Sequence, residues 1–170
     1  PVETFKYKGK FDLIFSNSVL EHVSDVNKTI IRMNNLLDEE GTQVHCVMVS
    51  DHGILSEKFH PFEYLTLNNK LWSMMVKHSG HPNRVLLPEF KRLFLRKNMS
   101  FNYYKISIYG LKEKVFLKDL DPNLIGKLSK KFKLKQIRKR FVSPYFKYSD
   151  EDLLSKRFLF LSQKIKGYEK

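Results

Sequence analysis

One run constrains this chain more than any other: Phe11-Asp12-Leu13-Ile14-Phe15-Ser16-Asn17-Ser18-Val19-Leu20-Glu21-His22-Val23. An apolar segment stops abruptly at small polar residues, and a carboxylate, an imidazole and a helix cap follow at once. Phe11 to Ser16 has the pattern of a strand buried on both faces. Open α/β sheets bind their ligands outside the carboxyl ends of such strands, so Ser16 to His22 are expected on a ligand-facing rim. Ser24 offers an N-cap, with Asp25 at the positive end of the helix dipole. Val26, Ile30, Met33 and Leu37 make one apolar stripe, and Gly41 stands where a helix-terminating C′ glycine is expected. Gln43 to Ser50 reads as a second strand. Strand, helix, strand is a βαβ unit, which predicts parallel strands with a right-handed crossover.

Beyond this unit the pattern changes. Asp51 to Pro88 reads as a partly helical insertion over the sheet rim, with a helix over Asn68 to His78. Pro88 opens a helix over Glu89 to Lys97, at a position where proline is tolerated. Phe101 to Tyr109 reads as a strand. Asp121-Pro122 starts a helix lined by Leu124, Ile125, Leu128 and Phe132, and Ser149 caps a short helix at Leu153-Leu154. Arg157 to Ile165 reads as the final strand.

Composition bounds the class. At 170 residues, the chain can bury a real core. It has no apolar stretch of about 18 residues, so no transmembrane helix is expected, and no signal-peptide pattern. Cys46 is the single cysteine and cannot form an internal disulfide, so a reducing cytoplasm is the default compartment. The chain opens at Pro1, which suggests a processed product or a fragment of something longer. The charge is lopsided: residues 1–70 hold 7 Lys/Arg against 10 Asp/Glu, and residues 71–170 hold 24 against 8. Eight of those bases fall in Lys127 to Arg140, KLSKKFKLKQIRKR. Such a run is either a solvated helix face or a surface for phosphates, nucleic acid or an anionic membrane.

FDLIFSNSVLEHVSD, an amphipathic helix and LLDEEGTQVHCVMVSDH together resemble the second half of a class I S-adenosylmethionine-dependent methyltransferase, of the type 11-like, small-molecule kind. Ser50-Asp51-His52, Trp72 and Asn83-Arg84 extend the resemblance through about residue 100. It implies an α/β fold, the C-terminal half of a Rossmann-like sheet: parallel strands with flanking helices, ending in an antiparallel strand pair. On that reading residues 1–100 form a partial core with a rim insertion at 51–88. Residues 101–170 form the terminal strand pair with a basic helical insertion at 111–156. The glycines form no G-x-G, so the family's donor-binding loop is missing from these residues.

The resemblance implies S-adenosylmethionine as cofactor, with Ser16, Asn17 and Leu20 beside it. The acceptor would be a small or saccharide-like molecule, with His22 or His52 as a possible base and Asp51 and Arg84 facing it. Each has a plainer reading: turn chemistry for Ser16 and Asn17, core packing for Leu20, loop support for His22, a surface ion pair for Arg84. His60, His78 and His81 with Asp51 lack the tight spacing of a metal site, so no metal is expected. The rival readings are a basic nucleic-acid- or membrane-surface-binding module, with Phe132 and Phe141 for stacking, and a non-catalytic methyltransferase remnant with exposed sheet edges.

Overall fold

A computed structural model describes residues 4–77, 80, 82–95 and 99–165. Its strands are β1 (Phe11–Asn17), β2 (Leu37–Met48), β3 (Asn102–Ile108) and β4 (Ser155–Gln163). They form one sheet in the order β1-β2-β4-β3. β1 and β2 are parallel, while β4 runs antiparallel to both β2 and β3. The parallel pair and the antiparallel terminal pair are those expected, in an α/β fold. Because β4 sits between β2 and β3, residues from both halves of the chain share one sheet and one core.

Helix α1 (Val26–Leu36) connects β1 to β2, and its Val26, Ile30 and Met33 stripe is buried. The cap is Asp25 rather than Ser24: Asp25 has extended backbone, and its carboxylate accepts the Lys28 N–H at 2.9 Å. Gly41 does not end this helix either. The helix stops at Leu36 and β2 begins directly at Leu37. Phe11 faces Leu37 while Leu13 faces Thr42, so the residues between bulge out of the ladder. A Cβ on Gly41 would lie 2.9 Å from the Phe11 carbonyl oxygen. The glycine serves a close approach of two strands rather than a helix end.

β1 is not buried on both faces as expected. Leu13 and Phe15 are 56% and 76% exposed. They share one side of a strand at the sheet's edge, paired only with β2.

The remaining helices are α2 (Asn69–Met75), α3 (Leu87–Leu95), α4 (Pro122–Lys131), α5 (Leu134–Ile137) and α6 (Asp150–Leu154). Asn68, Asp121 and Ser149 cap α2, α4 and α6 through their side-chain oxygens. The expected helix ends at His78 and Lys97 lie outside the described residues. The core centres on Phe160 of β4, whose ring packs 4.9 Å from Phe94 and 4.7 Å from Phe101, centroid to centroid. Trp72 is buried and its indole N–H donates to the Pro82 carbonyl at 3.0 Å, so it is part of the packing. No helix among the described residues is long and apolar enough to cross a membrane.

Candidate functional site

The carboxyl ends of β1 and β2 lie side by side, and the chain turns sharply after each. After β1, Ser18 takes a left-handed backbone (φ 55°) and donates its N–H to the Cys46 carbonyl at 2.9 Å. A 3-10 turn over Leu20–His22 follows. After β2, His52 is also left-handed (φ 52°). Such a backbone is uncommon outside glycine, and here it occurs once in each loop that builds the rim.

The two loops bring His22 and His52 together. Their rings stand 4.7 Å apart, centroid to centroid, at 60°. Nδ1 of His22 lies 2.7 Å from the Gly80 carbonyl. A carbonyl can only accept, so Nδ1 carries a proton, and in the neutral ring the lone pair is on Nε2. Burial and the neighbouring His22 push the pKa of His52 down, which favours its neutral ring. Glu21 lies beneath them at 2% exposure. Its Oε1 accepts the Met48 N–H at 3.2 Å. Asn83 locks the turn from below: its backbone N–H donates to the Glu21 carbonyl, and its side-chain amide to the carbonyls of Leu20 and Val23.

The other predicted residues divide. Ser16, Asn17 and Leu20 line a groove of about 640 Å³ along the outer side of β1, together with the exposed Leu13 and Phe15. The Ser16 hydroxyl is 2.7 Å from Nδ1 of the buried His45. Asn17 is exposed, and its Oδ1 accepts from the Arg157 guanidinium at 2.7 Å. Leu20 is both groove wall and core, at 2% exposure.

Asp51 is turned into its own loop. It is 1% exposed. One carboxylate oxygen accepts from Gly53 N–H and the Ser56 hydroxyl, the other from the N–H groups of Leu55 and Ser56. The carboxylate is spent on folding the loop that presents His52. Arg84 does not reach outward either. It is 6% exposed and donates to the carbonyls of Tyr64 and Leu67 and to the Asn69 side chain. It stacks 5.5 Å from Trp72 and 5.4 Å from Tyr145. Burial lowers its pKa. It braces the insertion from inside.

Arg157 escaped the sequence reading, because only the β2–β4 pairing carries it across Cys46 to the end of β1. The basic run is less available than its sequence suggests. Arg138 pairs with Asp150 and Arg140 with Glu63. Phe141 is buried, and Phe132 packs edge-on against Phe62 and Tyr109, so neither presents a face for a base. Lys127, Lys130, Lys131, Lys133, Lys135 and Lys139 remain exposed. His60 bonds the Phe132 carbonyl at 2.6 Å; His78 and His81 lie outside the described residues.

An open α/β sheet with a groove and polar rim at the ends of its parallel strands defines a Rossmann-like ligand-binding fold. A methyltransferase-domain family profile matches residues 2–101, and the chain belongs to that family. No curated protein sequence matches it. Among solved structures, phosphoethanolamine N-methyltransferase 2 of Haemonchus contortus in complex with S-adenosyl-L-methionine is similar with a TM-score of 0.51 at 14% identity. That match covers 98% of this chain and 36% of the other. The [4+2]-cyclase SpnF is similar with a TM-score of 0.50 at 12% identity, over 98% of this chain and 56% of its own. The chain thus spans between about a third and just over half the length of these relatives. At such identities the likeness is one of fold, and the two names show one fold carrying different chemistries.

Proposed function

We propose that this chain is the C-terminal half of a Rossmann-like methyltransferase that moves a methyl group from S-adenosylmethionine to a small-molecule or saccharide-like acceptor. One observation carries the reading: a groove lined by Ser16, Asn17 and Leu20 opens at the same strand ends that hold the His22–His52 pair. Ser16 and Asn17 offer small polar groups without a net charge, and Leu13, Phe15 and Leu20 offer apolar surface. This set suits one wall of a site for an adenosyl sulfonium ligand. It contains no glycine loop, so the opposite wall is not supplied by the residues lining this groove.

When bound, S-adenosylmethionine supplies an electrophilic methyl group. The chain's own task is alignment, which can account for a large part of a barrier. Arg157 holds Asn17, and Asn83 and Gly80 hold the turn that presents His22. A hydroxyl acceptor must lose a proton, and Nε2 of His22, the ring nitrogen opposite the one held by Gly80, is a group at the rim suited to handling it.

The test is calorimetric titration of the native polypeptide carrying this chain with S-adenosylhomocysteine. Replacing both Ser16→Ala and Asn17→Ala should weaken binding by about tenfold or more, the loss expected for two hydrogen bonds. Unchanged affinity in the folded double variant would remove these residues from the donor site.

A further inference from the structure

Glu21 presents an unusual situation for a buried acid. Its Oε1 has a partner, but its Oε2 is buried and has no hydrogen-bond partner, and the same is true of Nε2 of His52. An unpaired buried carboxylate oxygen costs free energy unless something neutralises it. Both orphan atoms belong to residues of one cluster: Glu21, His22 and His52 each offer a ligand atom, a carboxylate oxygen or a ring nitrogen, and these atoms lie within 4.8 Å of one another. The third is His22, whose Nδ1 is tied to the Gly80 carbonyl. That is the outer-shell arrangement by which metal-binding imidazoles are oriented, with the opposite nitrogen free to ligate.

We propose that Glu21, His22 and His52 form a binding site for a divalent transition-metal ion at the β1–β2 rim. Two imidazoles and one carboxylate suit Zn²⁺, Co²⁺, Mn²⁺ or Fe²⁺ better than the oxygen-preferring Ca²⁺ or Mg²⁺. Ligand bonds of about 2.0–2.2 Å require the ligand atoms to stand roughly 3.3 Å apart. The cluster therefore has to contract by up to about 1.5 Å. His22 and Glu21 are held by Gly80 and Met48, so the contraction falls mainly on the half-buried His52, whose Nε2 has no partner. Three protein ligands leave coordination positions open, the pattern of catalytic sites.

The consequence for chemistry rests on the methyl-transfer reading above. An ion here would ligate an acceptor oxygen and lower its pKa, so the imidazoles would act as ligands rather than as the base, and the acceptor would be a hydroxyl compound. Metal binding itself needs neither donor nor acceptor, so the two ideas fail separately.

The experiment titrates the metal-free protein with Zn²⁺ by calorimetry and with Co²⁺ by visible absorption, in the absence of S-adenosylmethionine. The expected result is one equivalent of ion, with Co²⁺ bands typical of nitrogen and oxygen ligation. Affinity should fall at least tenfold in each of His22→Ala and His52→Ala. Glu21→Gln should do the same, and if that buried change unfolds the protein, circular dichroism will show it and the two histidine variants decide. Uptake that survives both histidine substitutions, as binding at other histidines would, overturns the site. So does the absence of uptake by the folded wild type. A metal-binding protein that fails to bind S-adenosylhomocysteine would leave the ion site standing and remove the methyl-transfer reading instead.

Discussion

His45 makes a sharp test of the packing behind the rim. It is 0% exposed and sits in β2 with the Phe160 ring 5.1 Å away and Phe94 6.5 Å away. As a neutral ring it is fully satisfied: Nε2–H donates to the Gln43 side chain at 3.1 Å, and Nδ1 accepts the Ser16 hydroxyl at 2.7 Å. Protonation would add a charge with no water to solvate it, and burial pulls its pKa down to about 4. In the unfolded chain a histidine titrates near 6.5. Between these values the unfolded state binds a proton that the folded state refuses. The stabilisation is therefore complete above pH ~6.5 and is lost as pH falls toward 4, at about 1.4 kcal/mol per pH unit. From pH 7.5 to 4.5 the loss from this one residue is about 2.5 kcal/mol. Urea unfolding at several pH values, on the wild type and on His45→Gln, measures it. His52, whose pKa is also lowered, and the carboxylates contribute to both proteins and cancel in the difference. The wild-type curve should fall more steeply with acidity by about that amount. Parallel curves for the two proteins would show that His45 is charged, or solvated, in the fold.

Two further outcomes follow from buried charge. Lys105 is 1% exposed. Its ammonium sits 2.7 Å from Glu151, which also accepts the Leu120 N–H, so Glu151→Gln keeps that hydrogen bond but removes the lysine's countercharge and leaves it the Lys118 carbonyl and the Tyr103 ring. Chemical denaturation should show a loss of about 3 kcal/mol, while Lys105→Met paired with Glu151→Leu should stay within roughly 1–2 kcal/mol of wild type, because replacing both members of a buried pair is far milder than removing one. Asp51→Ala removes the acceptor of four hydrogen bonds in the loop after β2. It should cost about 2 kcal/mol and lower the thermal midpoint by several degrees; an unchanged midpoint would mean the carboxylate is not the loop's anchor.

The sequence was legible where local chemistry acts alone. Asp121 and Ser149 cap helices as their positions imply, because capping is settled within three residues. Strand–helix–strand order was equally clear from periodicity. Ser24 beside Asp25 offered two local caps of which the second is used, and the other misreadings depend on neighbours remote in the chain. Phe11 to Ser16 reads as a doubly buried strand, since its composition is that of a sheet interior, yet its place at the edge leaves Leu13 and Phe15 bare. Gly41 looks like a helix cap and is instead required by the Phe11 carbonyl across the sheet. Asp51 and Arg84 carry the residue types of a binding site and spend them internally. His22 and His52 were named from their strand ends, but neither their contact nor the orphan oxygen of Glu21 has any signature in spacing.

The site's two sides differ in how much of their support lies within this chain. The rim of Glu21, His22 and His52 is held from β2 through Met48 N–H, from the entry to α3 through Asn83, and from the insertion through Gly80. Every one of these restraints comes from residues 20–83. The groove side is backed by β1, by Thr29, Met33 and Leu36 of α1 and by His45 of β2, and its volume of about 640 Å³ lies along the edge of the sheet that pairs with no further described strand. Exposed strand edges invite further pairing, and a strand added beside β1 would extend the sheet and supply the missing side of the groove along that edge. Rim and groove therefore answer to different perturbations. Substitutions at Asn83 or Asp51 should disturb what the histidines bind while sparing the groove, whereas substitutions at Leu13 or Phe15 should alter association along β1 and leave the histidine pair in place.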